Sequence, residues 1–192
     1  HTHRSASGRA TRDLPRAGHA EAFAAMVEAL TAPGGVLRSP AEVTAVGHRV
    51  VHGGPRYSHQ TIIDDEVLLE IEKAAEFAPL HNPVNLLGIR EARRLFPGAT
   101  HVAVFDTAFH QVMPPYAYLY GLPYDYYDKK SIRRYGFHGP SHKYVSLKVA
   151  EYLNRPYNEL TTIVCHLGNG ASVCAVDHGR SIDTSMGLTP AE

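Results

Sequence analysis

Behind the arginine pair Arg133-Arg134, the run Tyr135-Gly136-Phe137-His138-Gly139-Pro140-Ser141-His142 places one histidine between glycines and a second four residues on. A histidine on so permissive a backbone, next to two guanidinium groups, is suited to donate to a phosphoryl oxygen as charge builds there. The alternative is a packing histidine with its ring nitrogens satisfied. Arg49, in Gly47-His48-Arg49-Val50-Val51-His52-Gly53-Gly54, sits in a strand-like run of valines. A guanidinium is unfavourable there unless it meets an anion, and its planar fork matches a carboxylate or a phosphoryl group. A structural ion pair with an internal acid is the competing reading. Gly53 and Gly54 would let a ligand approach the backbone.

Asp106, in Phe105-Asp106-Thr107, falls where a β-rich run gives out, the place where α/β proteins open onto a ligand crevice. A carboxylate there commonly holds magnesium, directly or through water; otherwise it caps a helix or forms a turn. His81, in Pro79-Leu80-His81-Asn82-Pro83, stands ahead of a helix N-terminus, which favours anions. His166-Leu167-Gly168-Asn169-Gly170 offers consecutive amides to a phosphate, or else an ordinary type I′ hairpin turn. It matches neither the Walker loop nor the dinucleotide fingerprint. The 13 histidines include no HExxH pair, and a Gly-Pro between His138 and His142 opposes one continuous metal-binding helix face.

The elements that must position these groups follow from pattern. Phe23, Met26, Val27 and Leu30 share a helical face from His19 to Ala32, which Pro33-Gly34-Gly35 ends. Val43 to Val51 reads as a buried strand. A helix capped by Asp64 presents Val67, Leu68, Ile71 and Ala75; another opens at Asn82-Pro83 and closes at Pro97-Gly98. Ala99 to Phe105 is a short strand. Pro114 to Tyr127 holds six of the 11 tyrosines and reads as a surface or interface loop. Ser141 is expected to cap a helix, followed by a hairpin of Thr161 to Leu167 and Ala171 to Val176. A two-residue Asn169-Gly170 turn would set Cys165 opposite Cys174. Strands mixed with helices indicate α/β, without repeats.

At 192 residues, 44% hydrophobic and 20% charged, the chain has material for one core or two small ones. Lys plus Arg and Asp plus Glu both number 19 and intermingle, which argues against a nucleic-acid or anionic-membrane surface. No apolar run approaches a membrane span, and His1 to Arg12 has no signal-peptide core, so a cytoplasmic protein with both cysteines reduced is expected. Two cysteines without a CxxC spacing make a poor zinc site. The polar start, His1 to Arg12, is expected to be disordered. The first residue is not Met and the last four are Thr189-Pro190-Ala191-Glu192, so both ends are expected to be cut from something longer.

Taken together and in this order, the four motifs resemble the acetate kinase family from about Asp13 onward, over about half of a family member. The resemblance implies an incomplete actin-like (ribonuclease H-like) α/β kinase fold with mixed sheets and flanking helices. Residues 1–108 would form part of an N-terminal lobe, and 109–192 the first part of a second, nucleotide-binding lobe. It further implies transfer of the ATP γ-phosphoryl to acetate, with magnesium as cofactor and a homodimer as assembly. Carried over by motif, Arg49, Asp106 and His138 are catalytic, with Asp106 positioning magnesium or the attacking carboxylate. Arg49 would contact the acetate carboxylate or the phosphoryl in flight, Val51, Leu80, Phe137 and Pro190 would line the methyl pocket, and His81 would support the site. His166, Gly168, Asn169 and Gly170 lie along the nucleotide phosphates. The chain departs from the family pattern at Pro140, where threonine is usual, and at Ala191, where leucine is usual. The family's Asn-x-Gly-Ser-Ser-Ser strand, second catalytic arginine, adenosine region and carboxy-terminal glutamate are not among these residues. A propionate or butyrate kinase of the same family is the nearest alternative, and a non-catalytic binding or dimerisation module is the alternative from another class.

Overall fold

The computed structural model describes residues 2–5, 8–11 and 18–190. In chain order they form β1 (Thr2–Ser5), β2 (Gly8–Thr11), α1 (His19–Thr31), β3 (Ala45–Val50), β4 (Thr61–Ile62), α2 (Asp65–Lys73), α3 (Asn82–Leu95), β5 (Thr100–Phe105), α4 (Pro115–Tyr118), α5 (Asp125–Lys130), α6 (Gly139–Leu153), β6 (Thr161–Leu167), β7 (Ala171–Asp177) and β8 (Arg180–Thr184). Three sheets result, ordered β1-β2, β3-β5-β4 and β6-β7-β8. The architecture is α/β with mixed sheets.

The middle sheet positions the site. β3 runs parallel to β5, with Arg49 opposite Val104 and Val50 opposite Phe105, so both strands end at the same edge. Parallel strands need a long crossover, supplied here by α2 and α3. Asp64 caps α2 by accepting from Val67 N–H at 2.8 Å, and Pro83 suits the first turn of α3. Leu86, Ile89 and Ala92 recur on the buried face of α3. They share a core with Val50, Ile63, Val67, Ile71, Ala103 and Phe105, apart from Ala92. The burial of a side chain such as Ile71 is worth about 1.5–3 kcal/mol. His48 is accommodated in β3 through a proton chain: His101 Nε2–H donates to the Phe96 carbonyl, leaving Nδ1 to accept from His48 Nε2 at 2.9 Å.

Several expectations are corrected. Of the start read as disordered, Thr2–Ser5 and Gly8–Thr11 pair antiparallel, Thr2 opposite Thr11, while residues 1, 6, 7 and 12 lie outside the described residues, as do 191 and 192. The tyrosine-rich segment folds into α4 and part of α5, because its rings pack on one another and on Arg133, whose guanidinium lies 3.8 Å over Tyr118. Ser141 does not cap α6. The N-cap is His138, at φ 57°, and Ser141 lies inside the first turn.

The expected hairpin strands are found, but the turn between them is not the two-residue Asn169-Gly170 turn that facing thiols would need. Leu167 pairs with Ala171, leaving Gly168, Asn169 and Gly170 as a three-residue loop. That extra residue puts Cys165 opposite Val173 and Cys174 opposite Val164, so the two thiols occupy opposite faces. Cys165 is exposed, whereas Cys174 is buried and its thiol is pushed up to about 11 by desolvation. A thiol reagent at pH 8 is therefore expected to titrate one cysteine rapidly in native protein and both after denaturation. Two equally fast native thiols would contradict this register.

Candidate active site

Asp106 directly follows β5, and its backbone N–H extends the ladder by donating to Val50 O at 2.9 Å. Arg49, one residue from the end of β3, stands beside it. Its Nε and Nη2 donate to Asp106 Oδ1 and Oδ2 at 2.9 and 2.7 Å. The ion pair that competed with the functional reading is thus present, but it is lopsided. Asp106 is 1% exposed while the Arg49 side chain is 62% exposed. The carboxylate grips one edge of the fork and the Nη1 edge remains for a ligand. Hydrogen bonding to Asp106 raises the Arg49 pKa, so the guanidinium stays charged.

The same carboxylate orders the segment richest in glycine. His138 N–H donates to Asp106 Oδ2 at 3.2 Å, and Gly139 N–H to the Asp106 carbonyl at 3.0 Å. Gly139 is required by this close approach, since a Cβ there would run into the Asp106 carbonyl oxygen. His138 adopts the left-handed conformation, a strain that tends to gather at functional sites. Its ring stacks on His166, centroids 4.0 Å apart, and His166 Nδ1 lies 2.9 Å from Ser141 Oγ. Burial first, then the neighbouring His166, lowers the His138 pKa.

The loop after β3 is held by α3. Asn82 Oδ1 accepts from His52 N–H at 3.1 Å, its Nδ2 donates to the His52 and Ile71 carbonyls, and Asn85 Oδ1 accepts from Val51 N–H. Val51 is thereby fixed against Ala78, Phe137 and Met186 in a small apolar cluster. His52 accepts from Gly54 N–H at Nδ1, so its Nε2–H donates to Leu188 O at 3.2 Å and ties the last described segment to the site.

Between these elements opens a cleft of about 700 Å³. Its wall includes Arg49, Val51, His81, Asp106, Phe137, His138, His166, Asn169, Gly170 and Pro190, ten of the residues singled out from sequence. Leu80 is not among the lining residues and is 78% exposed; Gly168 is also absent from the wall. Pro140 and Ser141 line it without having been anticipated as wall residues. Arg133 and Arg134 turn away, the first into the tyrosines and the second to the Thr184 carbonyl. A fixed guanidinium, a neutral imidazole and an apolar wall around one buried carboxylate can bind a short carboxylate and stabilise a transferring anionic group.

The acetokinase family model matches residues 2–192. The chain is 57% identical to an acetate kinase of Caldicellulosiruptor saccharolyticus over 173 residues, 90% of this chain and 43% of that protein. It is 61% identical to an acetate kinase of Halothermothrix orenii over 158 residues, 82% of this chain and 40% of that one. Among solved structures, Porphyromonas gingivalis acetate kinase superposes with a TM-score of 0.87 at 42% identity, covering 100% of this chain and 48% of that one. A Francisella tularensis propionate kinase gives 0.89 at 43%, covering 97% and 47%. The chain spans less than half the length of these relatives. The incomplete actin-like α/β kinase fold expected from sequence is the fold found. By its motifs, its architecture and the match over nearly all its residues, this chain belongs to the acetokinase family.

Proposed function

We propose that the protein carrying this chain is an acetate kinase, which reversibly transfers the γ-phosphoryl group of ATP to acetate, and that these residues form the acyl side of its site. The bidentate Arg49–Asp106 pair, with His138 on the same carboxylate and an apolar wall beside it, carries the reading. An acetate oxygen attacks the γ-phosphorus as the bond to the β-γ bridging oxygen breaks, yielding acetyl phosphate and ADP. No proton need move, so positioning and charge stabilisation dominate. Arg49 presents its free edge to the carboxylate and the phosphoryl in flight. Val51, Phe137 and Pro190 exclude water around the methyl group, with His81 at the rim. His138 donates to the transferring phosphoryl, and His166, Asn169 and Gly170 lie toward the nucleotide phosphates.

Magnesium belongs to this reading as a companion of ATP, and the donors present suit it. Among the described residues Asp106 is the only carboxylate in the cleft wall, and no group of three or more potential ligands gathers as a cage. Magnesium keeps much of its water and leans on substrate phosphates, so Asp106, already accepting from Arg49 and His138, would hold it through water. When bound, the ion neutralises charge across the β- and γ-phosphates. Assignment of residues 1–108 and 109–192 to two lobes is supported by the separate sheets β3-β5-β4 and β6-β7-β8. A homodimer in the cytoplasm completes the proposal on the strength of the resemblance; among the described residues no helix is long and apolar enough to cross a membrane.

Likeness to a propionate kinase favours one second reading, a preference for the longer acid. One methylene is worth about 1–3 kcal/mol in an apolar pocket, so kcat/KM is expected to favour acetate over propionate by about tenfold or more. Hydroxamate trapping of the acyl phosphate with each acid checks this, and Val51→Ala should narrow the gap. A propionate preference in the wild type would establish the second reading. A folded protein that binds acetyl phosphate without turnover would make it a binding module.

A further inference from the structure

The donor role given to His138 depends on where one proton sits. A histidine ring is mostly neutral at pH 7, and a neutral imidazole has one N–H. His138 Nδ1 lies 2.9 Å from Ser172 Oγ, and the same hydroxyl lies 2.8 Å from Nε2 of His142. Ser172 and His142 are both buried. A single hydroxyl proton serves both contacts, so the chain runs in one of two directions. In the first, His142 Nε2–H donates to Ser172 and Ser172 donates to His138 Nδ1, which leaves the His138 proton on Nε2. In the second, His138 Nδ1–H donates to Ser172, Ser172 donates to His142 Nε2, and the His142 proton moves to its own Nδ1.

The far end of the chain decides between them. His142 Nδ1 is buried and has no hydrogen-bond partner among the described residues. The second direction would strand an N–H there, whereas the first leaves only a bare lone pair. Orphaned buried N–H groups are the rarer of the two in folded proteins. His110 offers no relief, because its Nε2–H donates to the Phe137 carbonyl at 2.9 Å and its Nδ1 accepts from Ser181 at 2.8 Å.

We propose that Ser172, backed by His142, is a positioning residue that fixes His138 in its Nε2–H form and so presents its one proton on the cleft side. The loop leaves room for it. A Cβ on Gly170 would lie only 3.4 Å from His138 Nε2 and 3.3 Å from Cε1, so the bare glycine keeps that edge open. His166, stacked at 4.0 Å, holds the ring plane. In the reverse form a lone pair would face the incoming phosphoryl and repel it.

The catalytic consequence rests on the phosphoryl-transfer reading, but the proton position is measurable without turnover. Long-range ¹H–¹⁵N NMR of labelled protein at pH 7, with His138→Gln for assignment, is expected to show Nε2 of His138 protonated and Nδ1 as the acceptor. Ser172→Ala should turn this into a mixture of tautomers and lower kcat by roughly tenfold or more, short of the ~10⁴ that a wrong tautomer costs a serine-protease histidine. The KM for acetate should stay unchanged, and Ser172→Thr should restore both properties. A wild-type proton on Nδ1, or an unaltered Nε2–H form in folded Ser172→Ala, would overturn the proposal. If the tautomer behaves as stated while no acyl phosphate forms, the positioning role stands and the phosphoryl-transfer reading falls.

Discussion

Arg49→Ala is expected to lower acyl phosphate formation by about 10³- to 10⁵-fold, the range over which an arginine at a transferring phosphoryl acts. A second effect should accompany it. Asp106 is 1% exposed and accepts twice from this guanidinium, so truncation leaves a buried carboxylate with, among the described residues, only the His138 N–H as hydrogen-bond partner. Because the Arg49 side chain is 62% exposed, water can enter its place, and the loss of stability is set at about 1–3 kcal/mol rather than at the full cost of a sealed pair. The double variant Arg49→Ala/Asp106→Asn separates the two effects. Removing the uncompensated charge should recover most of the stability while the rate stays low. Arg49→Lys should keep the charge but lose the fork, and with it most of the rate. A rate within tenfold of wild type in folded Arg49→Ala would show that the ion pair is purely structural.

Acid should unfold this protein earlier than its carboxylates alone would. His52 and His110 are fully buried, and burial lowers both to about 4; His142 is lowered further, to about 3. In the unfolded chain these rings titrate near 6.5. Their folded values are depressed, so the unfolded state binds more protons as pH falls. The stability they contribute is complete above about pH 6.5 and is lost progressively toward pH 4. For His52 and His110 the shift corresponds to about 3 kcal/mol each, a large part of a typical domain's 5–15 kcal/mol. Urea unfolding is therefore expected to be independent of pH from 7 to 8 and to weaken steadily between about 6.5 and 5, above the range in which ordinary carboxylates titrate. Constant stability over that interval would mean that these rings are solvated and charged.

What the sequence made legible divides by distance along the chain. Arg49, Asp106 and His138 stand out because each breaks a local pattern, a cation among valines, an acid at a strand's end, a histidine between glycines. The parallel pairing of β3 and β5 then brings the first two to one sheet edge. Ser172 could not be singled out, since it looks like any hairpin serine and its partners His138 and His142 lie 34 and 30 residues away. Asn82 was visible only as a helix start, although its side chain holds the loop that carries Val51. β8 escaped notice because its inward positions are Ser181 and Thr184, hydroxyls hydrogen-bonded to His110 and to the Val173 carbonyl, so no apolar alternation marks it. The cysteine register failed on one residue of loop length, which flips every side chain beyond it to the other face. Leu80 followed from motif position alone, with no local pattern to test it.

The claim on which the rest depends is that this cleft passes a phosphoryl group from ATP to a short carboxylate. ³¹P NMR of the protein with ATP, magnesium and acetate observes every phosphorus species at once. An acyl phosphate signal is expected to grow in step with ADP, and to fall to background in Arg49→Ala and by about 10²- to 10³-fold in His138→Ala. An acyl phosphate signal that grows equally fast in both folded variants, or ADP accompanied only by inorganic phosphate in the wild type, would contradict the claim.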